Sequence, residues 1–110
     1  MIITDDDAGF RTVLAGLLTG IADRVLEAAD GAQALELLDA SHVDLVLADL
    51  VMPGVDGSEL LSRLPAGLPA VVITGLDADP PRRAAAVIRK DELTRDRLAF
   101  TVRRVTRSGV

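Results

Sequence analysis

The sequence has no cysteine, tryptophan or tyrosine, and only two phenylalanines, one histidine and one lysine in 110 residues. Without cysteine there is neither a disulfide framework nor a thiolate metal site, a usage that suits a reducing, cytoplasmic setting. The lone His42, preceded by Ser41, gives little support to a zinc site or a Ser-His-Asp triad and reads as a loop histidine. No run approaches the roughly 18 apolar residues that span a bilayer. The start of the chain lacks the basic segment of a signal peptide, so no membrane partner is expected. Scarce aromatics and a net charge of -5 argue against nucleic acid as a direct partner. Arg82-Arg83 and the cluster Arg103, Arg104 and Arg107 then read as a solvated helix face or a protein-docking surface. Linkers, low-complexity tracts and internal repeats are missing too. The length fits one domain over residues 1–110, with no output domain expected in the chain.

What is present is an alternation of strands and helices. Asp44 to Asp49 is an almost wholly apolar run that stops at one carboxylate and breaks into the turn around Pro53-Gly54. Apolar residues on both faces mark a strand of a parallel sheet covered by helices. Met1 to Thr4 is a first strand running into Asp5-Asp6-Asp7. A helix follows with Phe10, Val13, Leu14, Leu17, Leu18 and Ile21 on one face. Arg24 to Ala28 is a weaker strand, and Asp30-Gly31 opens a second helix. Asp56 with Glu59 has capping-box spacing for a third helix to about Leu64. Leu68 to Gly75 is the fourth strand and Ala85 to Arg89 the fifth, ending at Lys90. A last amphipathic helix starts near Thr94. Five strands and about five helices predict a doubly wound α/β fold with all strand C-termini on one edge.

Chemistry in such sheets collects at that edge. If strands one and three are neighbours, Asp5 and Asp6 come within reach of Asp49. Crowded carboxylates repel, and a hard divalent ion such as Mg²⁺ is the natural relief, bound through carboxylates, waters and a phosphate. The plainer alternative is that the acidic triplet caps the first helix, which is the better reading for Asp7. Thr74 ends the fourth strand, where its hydroxyl could donate to a phosphoryl oxygen or serve as an ordinary strand end. Lys90 ends the fifth. Of twelve basic residues eleven are arginine, so the single compact ammonium is kept where pairing with a phosphate as a point charge would use it.

The acidic pair Asp5-Asp6, the segment Asp49 to Gly57, the pair Thr74-Gly75 and the late Lys90, in this order and each at a strand end, resemble the receiver domain of bacterial two-component response regulators. The resemblance implies a flavodoxin-like five-stranded parallel sheet of order 2-1-3-4-5 and a phosphorylation switch. In that reading Asp49 accepts a phosphoryl group from a histidine kinase or histidine phosphotransfer protein. Asp6 and Asp49 bind Mg²⁺ directly with the backbone carbonyl of Val51, and Asp5 acts mainly through water. Thr74 and Lys90 read the phosphoryl group, and a downstream protein receives the output. No turnover activity is implied beyond slow self-dephosphorylation, because Val51 and Leu76 offer an attacking water no polar partner.

Departures from the pattern bear on the output. The segment from Thr74 to Lys90 is short and holds Pro80-Pro81, so the helix before the fifth strand is expected to be stunted or missing, and at most a weak homodimer is expected. Val87 stands where many members carry an aromatic switch residue. Asp91 stands where proline is common after the lysine, and a cis bond without proline would cost about 3 kcal/mol more than trans, which predicts a less firmly held Lys90. Two other function classes stay open: a receiver-fold interaction module that works without phosphate, and a metal-dependent hydrolase of small phosphates.

Overall fold

A computed structural model describes residues 1–52, 54, 56–75 and 81–106. Five parallel strands form one sheet: β1 (Ile2–Thr4), β2 (Leu26–Ala28), β3 (Val46–Ala48), β4 (Ala70–Thr74) and β5 (Ala86–Arg89), in the order β2-β1-β3-β4-β5. The helices are α1 (Ala8–Leu17), α2 (Gly31–Ala40), α3 (Gly57–Ser62) and α4 (Arg95–Thr106), with a 3₁₀ turn at Lys90–Glu92. This is the flavodoxin-like arrangement. Among the described residues no helix is long and apolar enough to cross a membrane.

Strand alternation divides the core in two. Ile2, Val46, Ala48, Ala70 and Val72 pack with Ala34 of α2 and with Leu60 and Leu61 of α3. Ile3, Leu47, Val71, Ile73 and Ile88 pack on the other face with Leu14, Leu18, Leu98 and Val102. The apolar residues on both sides of β3 are thus consumed by helices on both faces, as a buried parallel strand requires. Helix starts are set by side-chain oxygens that accept from orphan amides, each worth about 1 kcal/mol. Asp7 accepts from Phe10 N at 3.1 Å, Asp30 from Gln33 N at 2.9 Å, Asp56 from Glu59 N at 2.9 Å and Thr94 Oγ1 from Arg97 N at 3.1 Å. The far end of α1 is tied to α4, since Arg95 Nη1 donates to the carbonyls of Leu17 and Thr19 at 2.9 and 2.7 Å.

Several sequence expectations shift here. β2 is shorter than Arg24 to Ala28, α3 stops at Ser62 rather than Leu64, and β5 starts at Ala86 rather than Ala85. Val13 is 56% exposed, and Ile21 lies past the end of α1. A ten-residue helix has room for only a narrow stripe, and the chain reverses at Gly20, whose φ of +83° favours glycine. The described residues hold four α-helices, and those between β4 and β5 contain none, in line with the expected stunted or missing helix there. Leu76, Asp79 and Pro80 of that connection lie outside the described residues.

The start of α3 is pressed against the end of β3. Gly57 N donates to the Leu50 carbonyl at 3.1 Å. A Cβ on Gly57 would collide with the Asp49 carbonyl oxygen and sit 2.7 Å from Leu50 Cα. Both obstacles are backbone, so relief requires moving the strand end itself. Gly57→Ala is therefore expected to lower stability by about 2 kcal/mol in urea unfolding; a change within experimental error would show that α3 does not pack this closely on Asp49.

Candidate functional site

The ladder hydrogen bonds that continue past the strands aim the acidic side chains. Asp49 N donates to the Thr4 carbonyl at 3.0 Å, and Asp5 N donates to the Ala28 carbonyl at 3.2 Å. Neighbouring strands β1 and β3 thus end level, and Asp5 and Asp49 emerge side by side, 2% and 8% exposed. Asp6, exposed, completes the group: one carboxylate oxygen from each of Asp5, Asp6 and Asp49 lies within 4.8 Å of the others. Asp7 turns away to cap α1, as the plainer reading had it.

Lys90 reaches into this group from the end of β5. Its Nζ lies 2.9 Å from Asp5 Oδ2 and 3.1 Å from Asp49 Oδ2. The ammonium also sits 4.3 Å from the centroid of the Phe10 ring. No peptide bond among the described residues is cis, so Asp91 follows Lys90 through a trans bond. Even so, two carboxylates grip the Lys90 side chain, contrary to the looser hold expected without the proline. Thr74 is 1% exposed at the end of β4. Ala48 lies opposite Val72 and Thr74 opposite Arg89, which puts Thr74 one residue beyond the level of Asp49 and next to the strand that carries Lys90. Beyond Asp49 the chain turns through Gly54, at φ +71°. Val51 is 58% exposed, and its amide lies 3.4 Å from Asp49 Oδ1.

Three residues that the sequence reading did not assign to the site belong to its frame. Arg11 Nη1 donates to the Asp5 carbonyl at 2.6 Å while its Nε pairs with Glu27 Oε1 at 3.2 Å, which ties the end of β1 to α1 and β2. Gly57 allows α3 to close on Asp49, and Phe10 places a ring under the ammonium. Phe10 had been read as one position of an apolar helix face, and Gly57 as the last residue of the motif segment Asp49 to Gly57, without a packing role. The detectable signal was their spacing, one turn past Asp5-Asp6-Asp7 for Phe10 and Arg11, and immediately after Asp56 for Gly57.

The donor set suits a hard divalent cation: oxygen ligands only, close together, carrying more negative charge than one lysine neutralises. Asp5, Asp6 and Asp49 could hold such an ion. Burial pushes the Asp5 carboxyl above the ordinary aspartate value. The hydrogen bonds from Lys90 and the Asp7 amide and the charge of Lys90 offset this only in part, and the charge of Asp49 adds to it. Burial alone would lower the Lys90 pKa, but its bonds to Asp5 and Asp49 and their charges outweigh that and raise it. Above both its unfolded and folded pKa, an ionised Asp5 therefore costs folding free energy, and the cost fades as pH falls through the raised folded value. Without metal, Asp5→Asn should melt a few degrees above the parent at pH 7, with the gap shrinking towards pH 4. Thermal scans across that range check it, and a gap that is absent at pH 7 or widens with acid contradicts it.

Comparison with known proteins agrees with this geometry. The sequence model described as "Response regulator receiver domain" matches residues 1–92. The chain is 38% identical over 92 residues to the cyclic di-GMP phosphodiesterase response regulator RpfG of Xanthomonas campestris, an alignment covering 77% of this chain and 24% of that protein. It is 38% identical over 64 residues to sporulation initiation phosphotransferase F of Bacillus subtilis, covering 58% of this chain and 52% of the other. The chain thus spans about a quarter to a half of the length of these relatives. Among solved structures, the receiver domain of NtrX from Brucella abortus superposes with a TM-score of 0.86 at 27% identity, covering 98% of each chain. The receiver domain of the hybrid histidine kinase CckA gives 0.81 at 29% identity, covering 96% of this chain and 97% of the other. With the strand order, the acidic edge and the lysine at the end of β5 already in place, the match over most of the sequence means that this chain belongs to the response regulator receiver domain family.

Proposed function

We propose that this receiver is a phospho-acceptor switch in which Asp49 takes a phosphoryl group from a histidine kinase or a histidine phosphotransfer protein. The observation that carries the reading is the contact of the chain's only lysine with Asp49 at 3.1 Å, at a buried strand end beside two further carboxylates. An Asp49 carboxylate oxygen attacks phosphorus, the P–N bond of the donor's phosphohistidine breaks, and the imidazole departs with the electron pair. Phosphoryl transfer of this kind asks the protein mainly for alignment and for neutralisation of charge on the phosphoryl oxygens. Lys90 supplies one positive charge, moving from two carboxylates to a group that carries more charge than either. Mg²⁺, when bound, supplies the other by drawing charge from the phosphoryl oxygens. Asp6 and Asp49 would hold it directly with the Val51 carbonyl, and Asp5 through water.

On phosphorylation a phosphoryl oxygen would offer the Thr74 hydroxyl a different acceptor, and a changed bond there biases the connection that follows β4. A downstream protein is the partner this reading implies, in the cytoplasm, with at most a weak homodimer. The alternative, an interaction module working without phosphate, is favoured by two features of the output side: no helix among the described residues between β4 and β5, and Val87 in place of an aromatic. This reading implies no turnover beyond slow self-dephosphorylation.

Incubation with Mg²⁺ and acetyl phosphate should add one phosphoryl group by intact mass, with no addition to Asp49→Asn or in excess chelator. The adduct should persist well beyond seconds. No uptake by the parent favours the silent module, and steady phosphate release without a trapped adduct favours a hydrolase.

A further inference from the structure

We infer that Phe10 is a positioning residue for Lys90, its ring face holding the ammonium between Asp5 and Asp49. An ammonium has three N–H donors. Two carboxylate oxygens, at 2.9 and 3.1 Å, can take two of them, and the Phe10 ring presents its face to the ammonium with its centroid 4.3 Å from the nitrogen. A ring face attracts a cation through its quadrupole, more strongly where water is excluded. The Lys90 side chain here is only 26% exposed. The ring is itself anchored, since the Phe10 amide donates to Asp7 Oδ1 at 3.1 Å and Phe10 packs against the core that includes Ile3 and Leu14.

The chemistry makes such an anchor useful. Lysine is a flexible stem with a strongly hydrated head, and it contributes to transfer only while the head stays beside the acceptor oxygen. A carboxylate pair alone leaves the stem free to pivot as a metal or phosphoryl group draws charge away from Asp5 and Asp49. The ring is an uncharged partner whose attraction does not depend on the charge state of those carboxylates. It therefore keeps the ammonium at the site while its other partners change. One of only two aromatic side chains in the sequence meets its only lysine at this point.

The inference rests on Asp49 being the acceptor for its effect on rate, but not for its effect on Lys90. With a single lysine, ¹³C labelling at Cε gives one lysine resonance. In the parent, the Lys90 ε-protons should be shifted upfield by the ring current, and the Cε methylene should be ordered. Phe10→Leu should abolish the upfield shift, lower the order and slow phosphorylation by acetyl phosphate about tenfold. Near-isosteric fluorinated phenylalanines at position 10, which weaken the quadrupole while preserving the fold, should slow it in step with fluorine number. Fluorinated rings that behave as phenylalanine, a Lys90 methylene equally ordered without the ring, or a fall in rate with Lys90 order unchanged would each overturn the inference. If the parent takes up no phosphoryl group, the acceptor role of Asp49 fails by itself, and the resonance measurements still decide the role of Phe10.

Discussion

One ammonium between two buried carboxylates is the contact on which the arrangement of this molecule depends. Asp5 and Asp49 follow adjacent strands and Lys90 follows the sheet's edge strand β5, so the triad forms only if β1, β3, β4 and β5 are stacked in that order with their C-termini on one edge. Its electrostatics are deliberately incomplete. Three carboxylates crowd within 4.8 Å, and Lys90 contacts two of them, which leaves a local excess of negative charge. Burial adds to the cost and pushes the Asp5 carboxyl above its ordinary range. A site that holds its charges at a cost to folding responds strongly when a cation or a phosphoryl group changes the balance.

The frame around the triad is rigid where the triad needs it. Arg11 fixes the Asp5 carbonyl, the ladder bond from Asp49 N to Thr4 O fixes the end of β3, and Gly57 lets α3 lean directly on that strand end. The connection from β4 to β5 is simpler among its described residues. The described residues between β4 and β5 form a turn around Arg82-Arg83, and Arg83 Nη2 donates to the carbonyls of Pro65 and Leu68 at 2.8 and 2.6 Å. That clasp ties the approach to β5 to the segment before β4, and so couples the strand that carries Lys90 to the one that carries Thr74.

Much of this was legible in the sequence because burial writes itself into composition. The run ending at Asp49 is apolar on both faces, which only a covered parallel strand explains, and a chain that uses arginine everywhere else marks its one lysine. Caps at Asp7 and Asp56 were readable from local chemistry, and Asp30-Gly31 was readable as the turn that opens α2, where Asp30 proves to be the cap. The contacts of Phe10, Arg11 and Gly57 were not, because each depends on what another element brings near. A phenylalanine on an apolar stripe looks the same whether it faces leucine or an ammonium. Boundaries shifted at β2, where three residues on an outer strand carry little alternation, and at α1, which stops at Leu17 before the turn that holds Gly20 and Ile21.

The most direct test is a crystal structure with Mg²⁺ and beryllofluoride. The account predicts the fluoride on Asp49, the metal among Asp5, Asp6 and Asp49, and Lys90 Nζ transferred from the carboxylates to a fluorine. Beryllofluoride bound away from Asp49, or Lys90 turned out to solvent with the pocket filled, would contradict it.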